Sequence, residues 1–266
     1  MFFSLRHLPY LPYLPYFPDL YFHSCFSWSN IIPMEQRFIS AKPVSSVPLS
    51  VRQVSSAYFL LTLALALTVA GVFFGIGFAL PLLSSGWVFV LFIGEIALIF
   101  SARIWSKSYP LNYVLFAVFP LLSGLTLTPL IMSVLAGYVN GAAILLNAVI
   151  TTTLLTGVAA VSTNFITRDI GSVAGRFMFN ALIGLIIFGL LQLFVPGLRG
   201  PGMEMIVSAV GIVVFGMFLA YDIQRLRRGT AMGESPFLLA LSLYLDIFNL
   251  FLYVLRFMLA VSGRRR

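Results

Sequence analysis

The sequence predicts an all-α integral membrane protein with seven transmembrane helices, and three observations carry that prediction. Of 266 residues, 60% are hydrophobic, 15% aromatic and only 9% charged, more apolar surface than one soluble globule can hide. Residues 53–94 and 108–167 contain no charge at all, and each stretch exceeds the about 20 apolar residues that a spanning helix needs. Clusters of Gly, Pro, Ser and Asn then cut these stretches to span length.

Taken in order, the first span lies near 57–80 and ends at Pro81-Leu-Leu-Ser-Ser-Gly86; the second lies near 87–105. The 108–167 stretch divides at Ala136-Gly-Tyr-Val-Asn-Gly141 into spans near 112–133 and 141–162, followed by the polar loop Thr167-Arg168-Asp169. A fifth span near 177–195 meets a turn rich in Pro and Gly between Pro196 and Gly202, and a sixth lies near 203–224. The basic loop Arg225-Leu-Arg227-Arg228-Gly229 leads to Ser235-Pro236, where the proline suits a first helical turn, and to a seventh span near 236–261. The organisation is an N-terminal tail (1–55), a membrane domain (56–262) and a basic tail (263–266).

Basic residues set the expected orientation, because short cytoplasmic loops retain Lys and Arg. With the N-terminus cytoplasmic, that side collects eleven basic residues, among them Arg168, Arg176, Arg225, Arg227 and Arg228; the other side receives Arg199 and Arg264–Arg266. The C-terminal arginines are discordant, so a re-entrant seventh segment stands as the alternative to a full span. The net charge of +8 suits anionic lipid headgroups, and no basic patch interleaved with aromatics points to nucleic acid. One cysteine, Cys25, excludes an internal disulfide framework and a thiolate metal cluster. His7 and His23 both lie in the tail, so the apolar body has no imidazole base or zinc ligand.

Residues 1–33 carry the repeats Leu8-Pro-Tyr, Leu11-Pro-Tyr and Leu14-Pro-Tyr, and proline at that density prevents a helix. Neither a signal peptide nor a transit peptide fits. The segment is read as an over-extended gene start, with Met34 opening an ordinary short tail, or as a genuine proline-rich tail.

Ionisable residues inside spans are functional candidates by default. They are Glu95, Asp222, Asp246 and Arg256, with Arg103 and Lys107 near the end of span two. Asp222 and Asp246 each lie 12 residues from Glu234, so a helix hairpin closing there puts them at matching depth. Two carboxyls desolvated together cannot easily carry two negative charges and titrate as a unit. At 100° per residue Ser242, Asp246, Asn249, Tyr253 and Arg256 form one stripe on span seven. Such a helix belongs at the centre of the bundle, its stripe turned to a water-filled cavity or to polar partners, with Glu95 and Arg103 as candidates. Plainer readings stand beside these: Asp222 at the headgroup boundary, Glu95 as a hydrogen-bonded structural acid, Arg256 snorkelling to the surface. Gly71, Gly75, Gly77 and Ala79 read as close helix packing.

Ala220-Tyr-Asp222-Ile-Gln224 and the segment from Ala240 through Asp246-Ile-Phe-Asn249 to Arg256, supported by Gly124-Leu-Thr-Leu-Thr128 and Thr167-Arg168-Asp169, closely resemble the Bax inhibitor-1 (transmembrane Bax inhibitor motif) family, particularly its bacterial members. The likeness covers about residues 55–261. It implies two three-helix layers around a central C-terminal helix, forming a pH-dependent calcium leak. It also implies that Asp222 and Asp246 form a hydrogen-bonded pH-sensing pair. In some members an arginine late in the second helix latches onto that pair; counted from Glu95 the position falls on Ser106, with Lys107 adjacent and Arg103 a turn earlier. Either basic residue substitutes, or the closed state is held less firmly.

The expected function is therefore a passive, pH-sensitive calcium leak in a bacterial inner membrane, with calcium touching Asp222 and Asp246 transiently and no cofactor. No phosphate-binding loop or nucleotide domain supports a pump. The rivals are a proton/cation exchanger and an interaction protein modulating a membrane protease or stress response. An intramembrane aspartyl protease is more remote: Tyr221-Asp222 fits, but Leu243-Tyr244-Leu245-Asp246 lacks the glycines such enzymes place before the second aspartate.

Overall fold

A computed structural model describes residues 51–79, 86–166, 168–228 and 234–262. The expectations for residues 1–33, Met34, Cys25 and the two histidines, for most of the Pro81–Gly86 break, for Thr167, and for the tail at 263–266 lie outside the described residues. The helices are α1 (Val51–Phe74, continued by a π-helical turn Gly75–Ala79), α2 (Val88–Trp105), α3 (Leu111–Gly137), α4 (Gly141–Phe165), α5 (Ile170–Phe194), α6 (Pro201–Arg227) and α7 (Pro236–Ser262). All seven are long and apolar enough to cross a membrane.

Most helices outrun their expected bounds, because mildly polar flanks are carried as extra helical turns. Thus α1 takes in Arg52 and Gln53, and α5 begins before Arg176. Proline opens α6 and α7, where a missing N–H costs nothing. Between α3 and α4 the chain turns at an extended Tyr138. Gly141 is needed there, since a Cβ would run into the Val134 carbonyl. The seventh segment is one unbroken helix of 27 residues, about 40 Å long, with no break at which a re-entrant segment would turn back.

The first three helices form one layer, α3 packing on both α1 and α2; α4, α5 and α6 form the other, with α6 packing on both neighbours. The seventh lies between them, against α6 and α4 on one side and α1 and, lightly, α3 on the other. It is the most enclosed helix, with half of its most apolar stretch buried. Its residues enter two cores: Phe237, Leu241 and Tyr244 join Leu60, Phe116 and Phe119, while Leu243, Leu250 and Val254 join Ala148, Val214 and Leu219. Outward faces carry bare apolar side chains such as Phe100, Phe165 and Phe194, which is stable against acyl chains and not against water.

The α1–α3 contact shows why small residues recur there. A Cβ on Gly124 would strike the Thr68 carbonyl, and one on Gly71 the Leu121 carbonyl, so the two glycines let the backbones touch. Gly75 likewise lies against Thr128. Gly77 meets nothing, so the packing expected of it is not made, and the side chain of Ala79 lies outside the description.

Candidate functional site

Asp246 stands ten residues into α7 and is 8% exposed, and its Oδ2 has no hydrogen-bond partner. The charged group acting on it is Asp222 of α6. Asp222 stands five residues from the end of α6, with the Ser242 hydroxyl within hydrogen-bonding reach and Arg225 and Glu234 as charged neighbours. Ser242 also reaches the Leu239 carbonyl of its own helix, at 3.3 Å. The two carboxyls act on each other through charge but are not at equal depth: Tyr253 lies over Gly211, a register that sets Asp222 level with Ser242, one turn nearer the loop than Asp246. The cause is the asymmetric connection, since α6 persists to Arg227 whereas α7 starts only at Pro236. No hydrogen bond joins the two carboxyls among the described residues.

The hairpin is closed by an ion pair between Arg225 and Glu234, half-buried beside Asp222. Further along the stripe, Tyr253 stacks on Phe215 at 5.5 Å between ring centres and lies over Gly211. Ser242, Asp246 and Tyr253 thus face α6. Asn249 donates to the Leu245 carbonyl one turn back, at 2.8 Å, and Arg256 is exposed.

The anticipated link from Glu95 and Arg103 to this pair is not made. Two residues along a helix turn its direction by 200°, so Tyr244 faces away from Asp246, into the first layer. There its hydroxyl lies 2.8 Å from Thr68 Oγ1. Because Thr68 donates to the Ala64 carbonyl at 2.9 Å, the tyrosine is left to donate to threonine. Ser123 is within hydrogen-bonding reach, and Glu95 is the nearby charge. Glu95, buried on α2, accepts a hydrogen bond from Thr126 at 2.7 Å. It lines a cleft of about 270 Å³ with Phe92, Leu130 and Phe248. Glu95 therefore belongs to a second polar cluster, separated from the aspartates by the body of α7. Arg103 and Lys107 are exposed, and neither forms an ion pair with Asp222 or Asp246. Ser106 is 1% exposed with its hydroxyl unpartnered.

Gln224 escaped the sequence reading. Its Oε1 accepts from the Ile170 N–H at 2.9 Å, and its Nε2 donates to the carbonyls of Arg168 (2.9 Å) and Ile166 (3.2 Å). Arg228 donates to the same two carbonyls, and Arg227 to Thr163 and Asn164. The signal was present: a glutamine two residues beyond Asp222 in the same motif, in the last turns of a mainly apolar helix.

This geometry accounts for the motifs quoted above as contacts between helices and their loops. The model of the family described as inhibitor of apoptosis-promoting Bax1 matches residues 51–263, every described helix included. The chain belongs to that family. Among similar relatives, an uncharacterized protein of Campylobacter jejuni is 33% identical over 214 residues, covering 79% of this chain and 89% of its own. Inner membrane protein YbhL of Escherichia coli K12 is 30% identical over 203 residues (70% and 80%). The Golgi anti-apoptotic protein of vaccinia virus is 34% identical over 172 residues (65% and 68%). In this Bax inhibitor family member each quoted motif has a physical task. Gly124, Thr126 and Thr128 meet α1 and Glu95; Arg168 and its neighbours meet Gln224; Asp222 acts through its charge on Asp246.

Proposed function

We propose that this Bax inhibitor family protein is a passive, pH-sensitive calcium leak whose switch is the Asp222–Asp246 pair. The observation that supports it is the unpartnered Oδ2 of a nine-tenths-buried Asp246 beside a second carboxyl. Buried polar groups are ordinarily satisfied, and those left over mark a function or a bound ion. Two carboxylates and a serine hydroxyl offer the hard oxygen atoms that calcium prefers. Protonation removes the attraction by cancelling charge at the site, and two adjacent carboxyls share that proton as one unit. Calcium is cargo here, and no cofactor is needed. A proton/cation exchanger uses the same pair, with stoichiometric coupling in place of gating.

The reading favours a channel over an aspartyl protease because Leu243-Tyr244-Leu245, which precede Asp246, carry none of the glycines that let a substrate backbone approach such a carboxyl. With the names of its relatives, the proposal extends to a multi-pass protein of the bacterial inner membrane with a cytoplasmic N-terminus. The viral relative's name favours a second reading, an interaction protein acting on a membrane protease or stress response.

The deciding experiment is calcium entry into proteoliposomes from about pH 5 to 8, comparing wild type with Asp222→Asn and Asp246→Asn. Flux that follows pH and loses that dependence in both variants supports the leak. Flux against a calcium gradient driven by protons makes it an exchanger, and no flux above empty liposomes moves the assignment to the interaction role.

A further inference from the structure

Gln224 is 2% exposed and sits two residues beyond Asp222 on α6. Its three hydrogen bonds go to backbone groups at the end of α4 and the start of α5, the positions where helices leave N–H and C=O groups without internal partners. One side chain therefore satisfies two helix ends.

Its place on α6 gives it a further task. The 200° between residues 222 and 224 send the amide toward the α4–α5 loop and the carboxyl toward α7. The last turns of α6 are gripped from both sides, by the loop through Gln224 and by the approach to α7 through the Arg225–Glu234 ion pair. Any rotation or unwinding that moves Asp222 relative to Asp246 must strain the bonds of Gln224. We infer that Gln224 is a positioning residue for the carboxyl pair, coupling the α4–α5 loop to its protonation. This rests on the pH-switch reading above. The charged groups around the pair are Arg225 on α6, Glu234 ahead of α7 and the two aspartates themselves. On the loop side stand Arg168 and Asp169, with Arg227 and Arg228 at the end of α6.

The test uses the full chain in nanodiscs and measures trypsin cleavage after Arg168 by mass spectrometry across about pH 6 to 8, beside the calcium flux profile in liposomes. Measured relative to an unstructured control peptide at each pH, wild-type cleavage should vary several-fold with pH, Asp222→Asn should abolish that variation, and Gln224→Leu should cleave fast at every pH. The flux midpoint of Gln224→Leu should move by about half a pH unit or more, the scale of one hydrogen bond's net worth. Gln224→Asn, which keeps a shorter amide, should fall between and serves if the leucine variant does not fold. A flux profile for these variants superimposed on wild type, or wild-type cleavage indifferent to pH, overturns the proposal. If wild type conducts nothing, the leak reading fails by itself; cleavage that follows pH and loses this in Asp222→Asn then still supports the coupling.

Discussion

Tyr244 and Asp246, two residues apart on α7, face opposite layers of the bundle, Tyr244 to Thr68 of α1 at 2.8 Å and Asp246 to Asp222 of α6. The central helix therefore carries two polar connections that share no member. One is satisfied by hydroxyls and the other leaves a carboxylate oxygen over. Their separation yields a sharp expectation. Tyr244→Phe removes the hydroxyl and leaves Thr68 bonded to Ala64, so it should cost about 0.6 kcal/mol, up to about 2. Thermal unfolding in detergent should show the loss, while the pH profile of calcium flux keeps its midpoint.

Thr126 is the hydrogen-bond donor to Glu95. Thr126→Val keeps the shape and orphans a buried carboxyl, at a cost of about 1–3 kcal/mol. Adding Glu95→Gln should recover part of it, because a neutral amide tolerates burial better than an orphaned acid. A double-mutant cycle in chemical denaturation measures the coupling, and strictly additive effects would contradict the contact.

The α1–α3 contact depends on the absence of side chains. Gly124→Leu forces apart backbones that touch at Thr68 and Gly71, and overpacking of this kind costs about 1–3 kcal/mol or more. Gly77→Leu, with open space around it, should be silent. Yield of monodisperse protein and its melting temperature separate the two.

The seven spans were legible in the sequence because bilayer thickness fixes span length and charge is excluded from spans, whereas their grouping into two layers came only with the family resemblance. Even α7's central place followed from one polar stripe. Depth and partnership were less accessible. Counting from Glu234 put the aspartates level, but helix ends depend on loop contacts, and α7 waits until Pro236 to begin. Glu95 looked like a partner for Asp246 because both are acids in apolar helices; which side of α7 it meets is decided by α3, through Thr126. Gln224 was passed over because a neutral amide near a helix end resembles surface, and its three backbone partners are 54 to 58 residues away in sequence.

Arg103 and Lys107 decide whether a basic latch holds the pair. Both are exposed at the end of α2, the positions between them that face inward are Trp105 and Ser106, and exposed ion pairs are in any case worth about 0–1 kcal/mol. Arg103→Ala and Lys107→Ala, singly and together, should therefore leave the pH midpoint of calcium flux within experimental error of wild type. A shift comparable to that of Asp222→Asn in either variant would mean that the side chain reaches the carboxyls in another conformation. That would place α2, and with it Glu95, back in the gating path. The double variant separates the cases cleanly, because a surface charge acts through screened potential and its effect should vanish in about 1 M salt, whereas a direct contact with a buried carboxyl should persist.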